Sequence, residues 1–122
     1  MIKTSGLTHI HLVVSNLDKS LSFYRNVFGM EERFRDGPKM VFLNTPGSAD
    51  LITLNEDPSE VAKAGDNGGV GHFGFRLSPE VSLDEAIEVV VANGGELEHR
   101  SEPGEGRQYA YVRDPDGYLI EL

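Results

Sequence analysis

The sequence predicts an α+β fold in which one β-α-β-β-β pattern is used twice, and three observations carry that reading. Residues 7–14, LTHIHLVV, and residues 71–77, GHFGFRL, are strand-like segments that each precede a helix. The two helical stretches have equal spans: twelve positions separate Leu17 from Gly29, and twelve separate Leu83 from Gly95. Each half then closes on a matching strand, DLITL at 50–54 and YLIEL at 118–122. A long period used only twice points to a pseudo-symmetric domain rather than a solenoid.

The elements follow in order. LTHIHLVV is rich in β-branched residues, and strand alternation puts His9 and His11 on one face with Thr8, Ile10 and Leu12 on the other. Asn16 is placed to cap a helix running to about Phe28. Leu17, Leu21, Tyr24 and Phe28 repeat at helical spacing, and Gly29 stops it. Strands are expected in MEERFR, KMVFLNT and DLITLNE, separated by the turn-forming DGP and PGSA. Residues 57–69, DPSEVAKAGDNGG, read as a polar, Gly-rich linker with room for a helical turn. In the second half, Ser82 to Glu85 (SLDE) has the spacing of a capping box. The helix it opens turns Leu83, Ile87 and Val90 inward and ends at Gly94–Gly95. ELEHR, QYAYVRD and YLIEL supply the remaining strands. The expectation is a single domain over 1–122, with one module at about 5–56, the linker at 57–69 and a second module at about 70–122.

At 122 residues the chain is long enough to bury a core, and 39% hydrophobic against 25% charged residues is an ordinary globular balance. The absence of cysteine excludes disulfides, thiolate nucleophiles and Cys-ligated zinc. No apolar run is long enough for a signal peptide or a bilayer span, so a cytoplasmic protein without a membrane partner is expected. Twenty acidic residues against 11 Lys and Arg give a net charge of −9, which argues against nucleic acid and favours a cationic or neutral small ligand.

Aligning the halves sets His9 opposite His72. Aligning their last strands sets Thr53 opposite Glu121. If the halves pair symmetrically, these four positions surround one centre. A lone strand histidine more often packs than ligates, and a terminal glutamate is usually solvated. Here, however, an independent repeat relates the two histidines. Two imidazoles and a carboxylate suit one divalent ion, Fe, Mn, Ni or Zn, with open positions for water or substrate. An acid among apolar neighbours, as Glu121 is in YLIEL, also calls for a partner. GVGHFG (69–74) matches G-x-G-x-x-G in form but leads into a strand, so a dinucleotide site is rejected. Asp114-Pro-Asp-Gly117 reads as a β-turn.

GLTHIHLVVSNLDKSLSFYRNVFGM, GHFGFRL and DPDGYLIEL together resemble the vicinal oxygen chelate superfamily over nearly the whole chain. That group holds glyoxalase I, fosfomycin- and bleomycin-resistance proteins, methylmalonyl-CoA epimerase and extradiol dioxygenases. The resemblance implies paired βαβββ modules forming an eight-stranded cup, with His9, His72 and Glu121 as metal ligands. Glyoxalase I has a fourth ligand, a Glu, where this chain has Thr53, which favours a three-ligand site. Extradiol dioxygenases have a further His at about 102–104, where Glu102, Pro103 and Gly104 stand. A fosfomycin-type substrate would need cationic groups, for which Arg76, Arg107 and Arg113 are the candidates.

His11 and Tyr111 are candidate catalytic residues, and Thr53 and Arg76 are candidate pocket residues. His11 also reads as a hydrogen-bonded wall residue, and Tyr111 as a packing residue. The implied activity is Lewis-acid catalysis on a small substrate that chelates the ion through two oxygens, by an isomerase, lyase, transferase or dioxygenase. The alternative is a metal-free protein that sequesters a small molecule or antibiotic, as bleomycin-resistance members do. The resemblance implies that the two modules close one cup either within a chain or across a dimer, and the short, Gly-rich linker permits both. A homodimer with two equivalent sites is the expectation, each site taking His9 from one subunit and His72 and Glu121 from the other.

Overall fold

Asn16 sets where the first helix begins. Its backbone is extended and its side-chain oxygen accepts from the Lys19 N–H at 2.9 Å. The computed structural model describes residues 1–3, 5–61 and 70–122, and in it this helix, α1, spans Leu17–Phe28 after the strand β1, Ile10–Val14. Leu17, Leu21 and Tyr24 are buried at the predicted spacing, and Phe23 and Ser20 join them. Gly29 ends the helix at φ 64°, with its N–H on the Arg25 carbonyl at 3.0 Å. β2 (Glu31–Arg35), β3 (Met40–Asn44) and β4 (Ile52–Glu56) follow. The second module repeats this as β5 (Phe73–Gly74), α2 (Leu83–Ala92), β6 (Glu96–Arg100), β7 (Ala110–Arg113) and β8 (Leu119–Glu121). The Ser82–Glu85 capping box forms, and the Ser82 N–H and hydroxyl hold the Glu85 carboxyl below its ordinary pKa. Of the linker, residues 62–69 lie outside the described residues, and the helical turn expected in that stretch falls largely among them.

The eight strands divide into two four-stranded mixed sheets, ordered β1-β4-β3-β2 and β5-β8-β7-β6. In each, the first strand runs parallel to the last, and the rest are antiparallel. The registers coincide as well. His11 pairs with Thr53 in the first sheet as Gly74 pairs with Glu121 in the second, and Phe42 faces Thr53 as Tyr111 faces Glu121. Even the irregularities match, between Glu32 and Phe34 and between Leu97 and His99.

Two expectations are adjusted. Of GHFGFRL only Phe73–Gly74 is strand, because the segment has β8 alone as a neighbour. The Phe75 N–H still reaches the Glu121 carbonyl at 2.9 Å, and the chain then runs past the end of β8. On α2 only Val90 is fully buried, while Leu83 and Ile87 are half-buried.

The modules are joined by the Asp114–Gly117 turn, closed by Gly117 N–H to the Asp114 carbonyl at 3.0 Å with Gly117 at φ 91°. Buried Asp114 accepts the Tyr24 hydroxyl of α1 at 2.8 Å and the backbone N–H groups of Asp116 and Tyr118 at 2.9 Å. Asp116 takes the Ser15 N–H and the Ser20 hydroxyl at 3.2 Å. The Tyr118 hydroxyl donates to the Val13 carbonyl at 2.8 Å and accepts the Val13 N–H at 3.1 Å. Around these bonds, Phe23, Tyr24, Leu54, Val90, Val112 and Ile120 form one core drawn from both modules. Among the described residues no helix is long and apolar enough to cross a membrane.

Candidate metal centre

The parallel pairing of β5 with β8 brings His72, one residue before β5, beside Glu121. His72 Nε2 lies 3.0 Å from Glu121 Oε2, and both side chains are partly exposed, 39% and 28%. Tyr111 stands edge-on to the imidazole, with centroids 5.0 Å apart and planes at 67°. Two of the three expected ligands are therefore adjacent on one face of the second sheet.

His9 holds the equivalent place in the first module, one residue before β1, and meets Phe42 edge-on at 6.4 Å and 60°. Its Nδ1 is 2.9 Å from the Thr8 hydroxyl. When Nδ1 carries the proton and Thr8 accepts it, Nε2 is left as the free lone pair. This partner went unread in the sequence, where only its adjacency to His9 marked it. His9 does not join the other two within the chain. Among the described residues no three His, Cys, Asp or Glu side chains form a group that could hold a metal. The equivalent positions are thus reproduced once per sheet rather than gathered around one intrachain centre, because β1 and β5 belong to different sheets.

Thr53 replaces Glu121 in the first module and is fully buried, and its Oγ1 is the one buried side-chain polar atom without a hydrogen-bond partner among the described residues. His11, its strand neighbour, is exposed. Arg76 lines a cavity with Glu121. The donor chemistry of His72 and Glu121 fits a divalent ion, since a neutral imidazole and a carboxylate converge with room for further ligands.

The model of the Glyoxalase/Bleomycin resistance protein/Dioxygenase superfamily matches residues 6–122. The chain belongs to that superfamily. Within it, the chain is 33% identical to the fosfomycin resistance protein FosX of Listeria monocytogenes, covering 97% of this chain and 88% of that one. A crystal structure of that superfamily member superposes with a TM-score of 0.79 at 29% identity, over 98% of this chain and 93% of the other. A manganese-dependent 2,3-dihydroxybiphenyl 1,2-dioxygenase of Geobacillus genomosp. 3 is 32% identical over 93% of this chain and 35% of its own. The chain spans less than half the length of several curated superfamily relatives it matches, including a lactoylglutathione lyase of Arabidopsis thaliana at 31% identity, over 93% of this chain and 42% of the lyase.

Proposed function

We propose that the chain, residues 1–122 acting as one domain, is a subunit of a divalent-metal enzyme. Its site takes His72 and Glu121 from one copy and His9 from a second copy in a homodimer. The observation that carries this reading is the 3.0 Å approach of His72 to Glu121, with the equivalent His9 set apart on the other sheet. The manganese named for the dioxygenase relative, and the Mn(II) in a crystal structure of a variant of FosX, support the metal class. Iron, nickel and zinc suit the same donors.

When bound, a divalent ion supplies Lewis-acid polarisation of two substrate oxygens. The chain's own residues do the rest. Tyr111 fixes the plane of the His72 ring, Thr8 engages Nδ1 of His9, and Glu121 brings the negative charge. His11 is the candidate proton carrier, and Thr53 and Arg76 are candidate pocket residues. A small substrate with two adjacent oxygens suits the site, and the cytoplasm is the compartment proposed for it.

Metal titration of paired variants tests the proposal. Wild type is expected to bind Mn(II) stoichiometrically, and His9→Ala and His72→Ala each to lose it. Unfolding and refolding the two variants together should restore about a quarter of the sites, since a mixed dimer rebuilds one intact site. If wild type takes up no divalent ion, the metal-free sequestering reading replaces this one. If mixing restores nothing, the shared site is wrong.

A further inference from the structure

The two ends of the helix pair are closed differently. At one end the Tyr24 hydroxyl of α1 reaches Asp114 at 2.8 Å, and the Tyr118 phenol holds the Val13 backbone. The repeat gives each of these residues a counterpart at the opposite end. Val90 stands seven positions after Leu83, as Tyr24 stands seven after Leu17. Thr45 stands three after Phe42, which faces Thr53, as Asp114 stands three after Tyr111, which faces Glu121. Asp50 stands three before Thr53, as Tyr118 stands three before Glu121. The three counterparts carry no ring.

A cavity of about 450 Å³ opens at that end, between the last turn of α1 and the first turns of α2. Val90 and Thr45 are both on its wall, with Ala86 beside them. Phe28 and Phe75 close another side as stacked rings, with centroids 3.9 Å apart and planes at 9°. The volume falls in the range of small-molecule sites, and the wall is mostly apolar. Two charged residues border it. Glu85 is engaged in its capping box, bonded by the Ser82 N–H at 3.0 Å and hydroxyl at 2.8 Å, and Arg76 is shared with the cavity beside Glu121. Thr45 uses only its backbone, giving its N–H to Asp50 at 2.8 Å and accepting the Asn44 amide at 3.0 Å. Among the described residues its hydroxyl has no partner.

We infer that this cavity, on the helix side of the sheets, is a second small-molecule site that takes a phenol, a neutral aromatic ring bearing a hydroxyl. The ligand supplies here what Tyr24 supplies at the other end. Its ring lies against Phe28, Phe75 and Val90, where aromatic contact adds to apolar burial. Its hydroxyl meets Thr45, in the place where Asp114 receives Tyr24. A threonine hydroxyl both donates and accepts, so it pairs with a neutral phenol and needs no counter-charge. The wall draws on none of His9, His72 and Glu121, and the inference is independent of the metal reading.

The test titrates the full chain with phenol, benzene and benzoate, followed by amide NMR. Phenol should bind saturably in about the millimolar range, with shifts centred on 26–28, 45, 75–77 and 86–90. Ala86→Leu fills the cavity from a half-buried position and should weaken phenol by about tenfold or more, while exposed Ala92→Leu leaves it unchanged. Thr45→Val keeps the side-chain shape and should weaken phenol by about fivefold without changing benzene. Benzoate should bind more weakly than phenol. Phenol that never saturates, or that binds Ala86→Leu as it binds wild type, overturns the inference. So does benzoate binding more tightly than phenol, or Thr45→Val changing phenol and benzene alike. If phenol fails and sedimentation shows that Ala86→Leu alters the oligomeric state, the cavity is an interface between copies and the ligand site is disproved.

Discussion

His72 meets Tyr111 edge-on at 5.0 Å and 67°, and His9 meets Phe42 in the same manner at 6.4 Å and 60°. Each module therefore presents one imidazole against an aromatic ring at the same register position. The pairing follows from the strands, because Tyr111 faces Glu121 as Phe42 faces Thr53.

An edge-to-face pair contributes about 0.5–1.5 kcal/mol beyond burial. Tyr111→Leu should therefore weaken Mn(II) binding by about two- to tenfold, while Tyr111→Phe, which keeps the ring, stays near wild type. Calorimetric titration of both variants measures the difference.

The Asp114 carboxyl is pushed up to about 6 chiefly by burial, against the pull of hydrogen bonds from Tyr24, Tyr118 and Asp116. Between about pH 4 and 6 the folded chain holds a proton that the unfolded chain has released. The contribution of this group is therefore fully present below the unfolded value of 3.8 and is lost as pH rises through about 6. The loss is on the order of 3 kcal/mol. Urea unfolding across that window should show the slope in wild type and a flatter profile in Asp114→Asn.

Tyr24→Phe removes the hydroxyl bonded to Asp114 at 2.8 Å. A hydrogen bond to a charged group is worth about 1.5–3 kcal/mol, so the variant should lose stability of that order at pH 7. The loss should shrink near pH 4.5, where Asp114 is protonated. Equal losses at both pH values would show that the bond does not depend on the charge.

Gly95→Ala should destabilise by about 1–3 kcal/mol. Its Cβ would sit 2.6 Å from Val90 Cγ1, 2.7 Å from the Arg113 carbonyl oxygen and 2.9 Å from Phe23 Cε2. The backbone oxygen has little freedom to retreat. Thermal unfolding of Gly95→Ala beside Gly106→Ala, where a Cβ meets nothing within 4 Å, isolates the contact.

Thr53→Val removes the unpartnered buried hydroxyl and should stabilise the chain by about 1 kcal/mol. Unchanged or lower stability in urea would mean that the hydroxyl finds a hydrogen-bond partner in the folded protein in solution.

Local signals made much of the fold legible. Asn16, Gly29 and the Ser82–Glu85 box act through bonds within a few residues, so the helix ends could be read directly. The repeat register was also readable, because alternation and counting suffice to match His9 with His72. The joint between modules was not. Asp114-Pro-Asp-Gly117 looked like a turn and is one, but its contacts with Tyr24 and Ser15 lie 90 and 101 residues away in sequence. The spacing permitted His9 to meet His72 and Glu121 within one chain or across a dimer, and only the placement of the two sheets separates them within the chain.

The phenol of Tyr118 grips β1 at Val13 from the strand that ends in Glu121. Three residues of strand, roughly 10 Å, separate that grip from the carboxylate, and four residues separate Val13 from His9. In a dimer where one chain lends His9 to one centre and Glu121 to the other, this hydroxyl is a stiff strut between the two. Such a pair of sites would share a single mechanical frame.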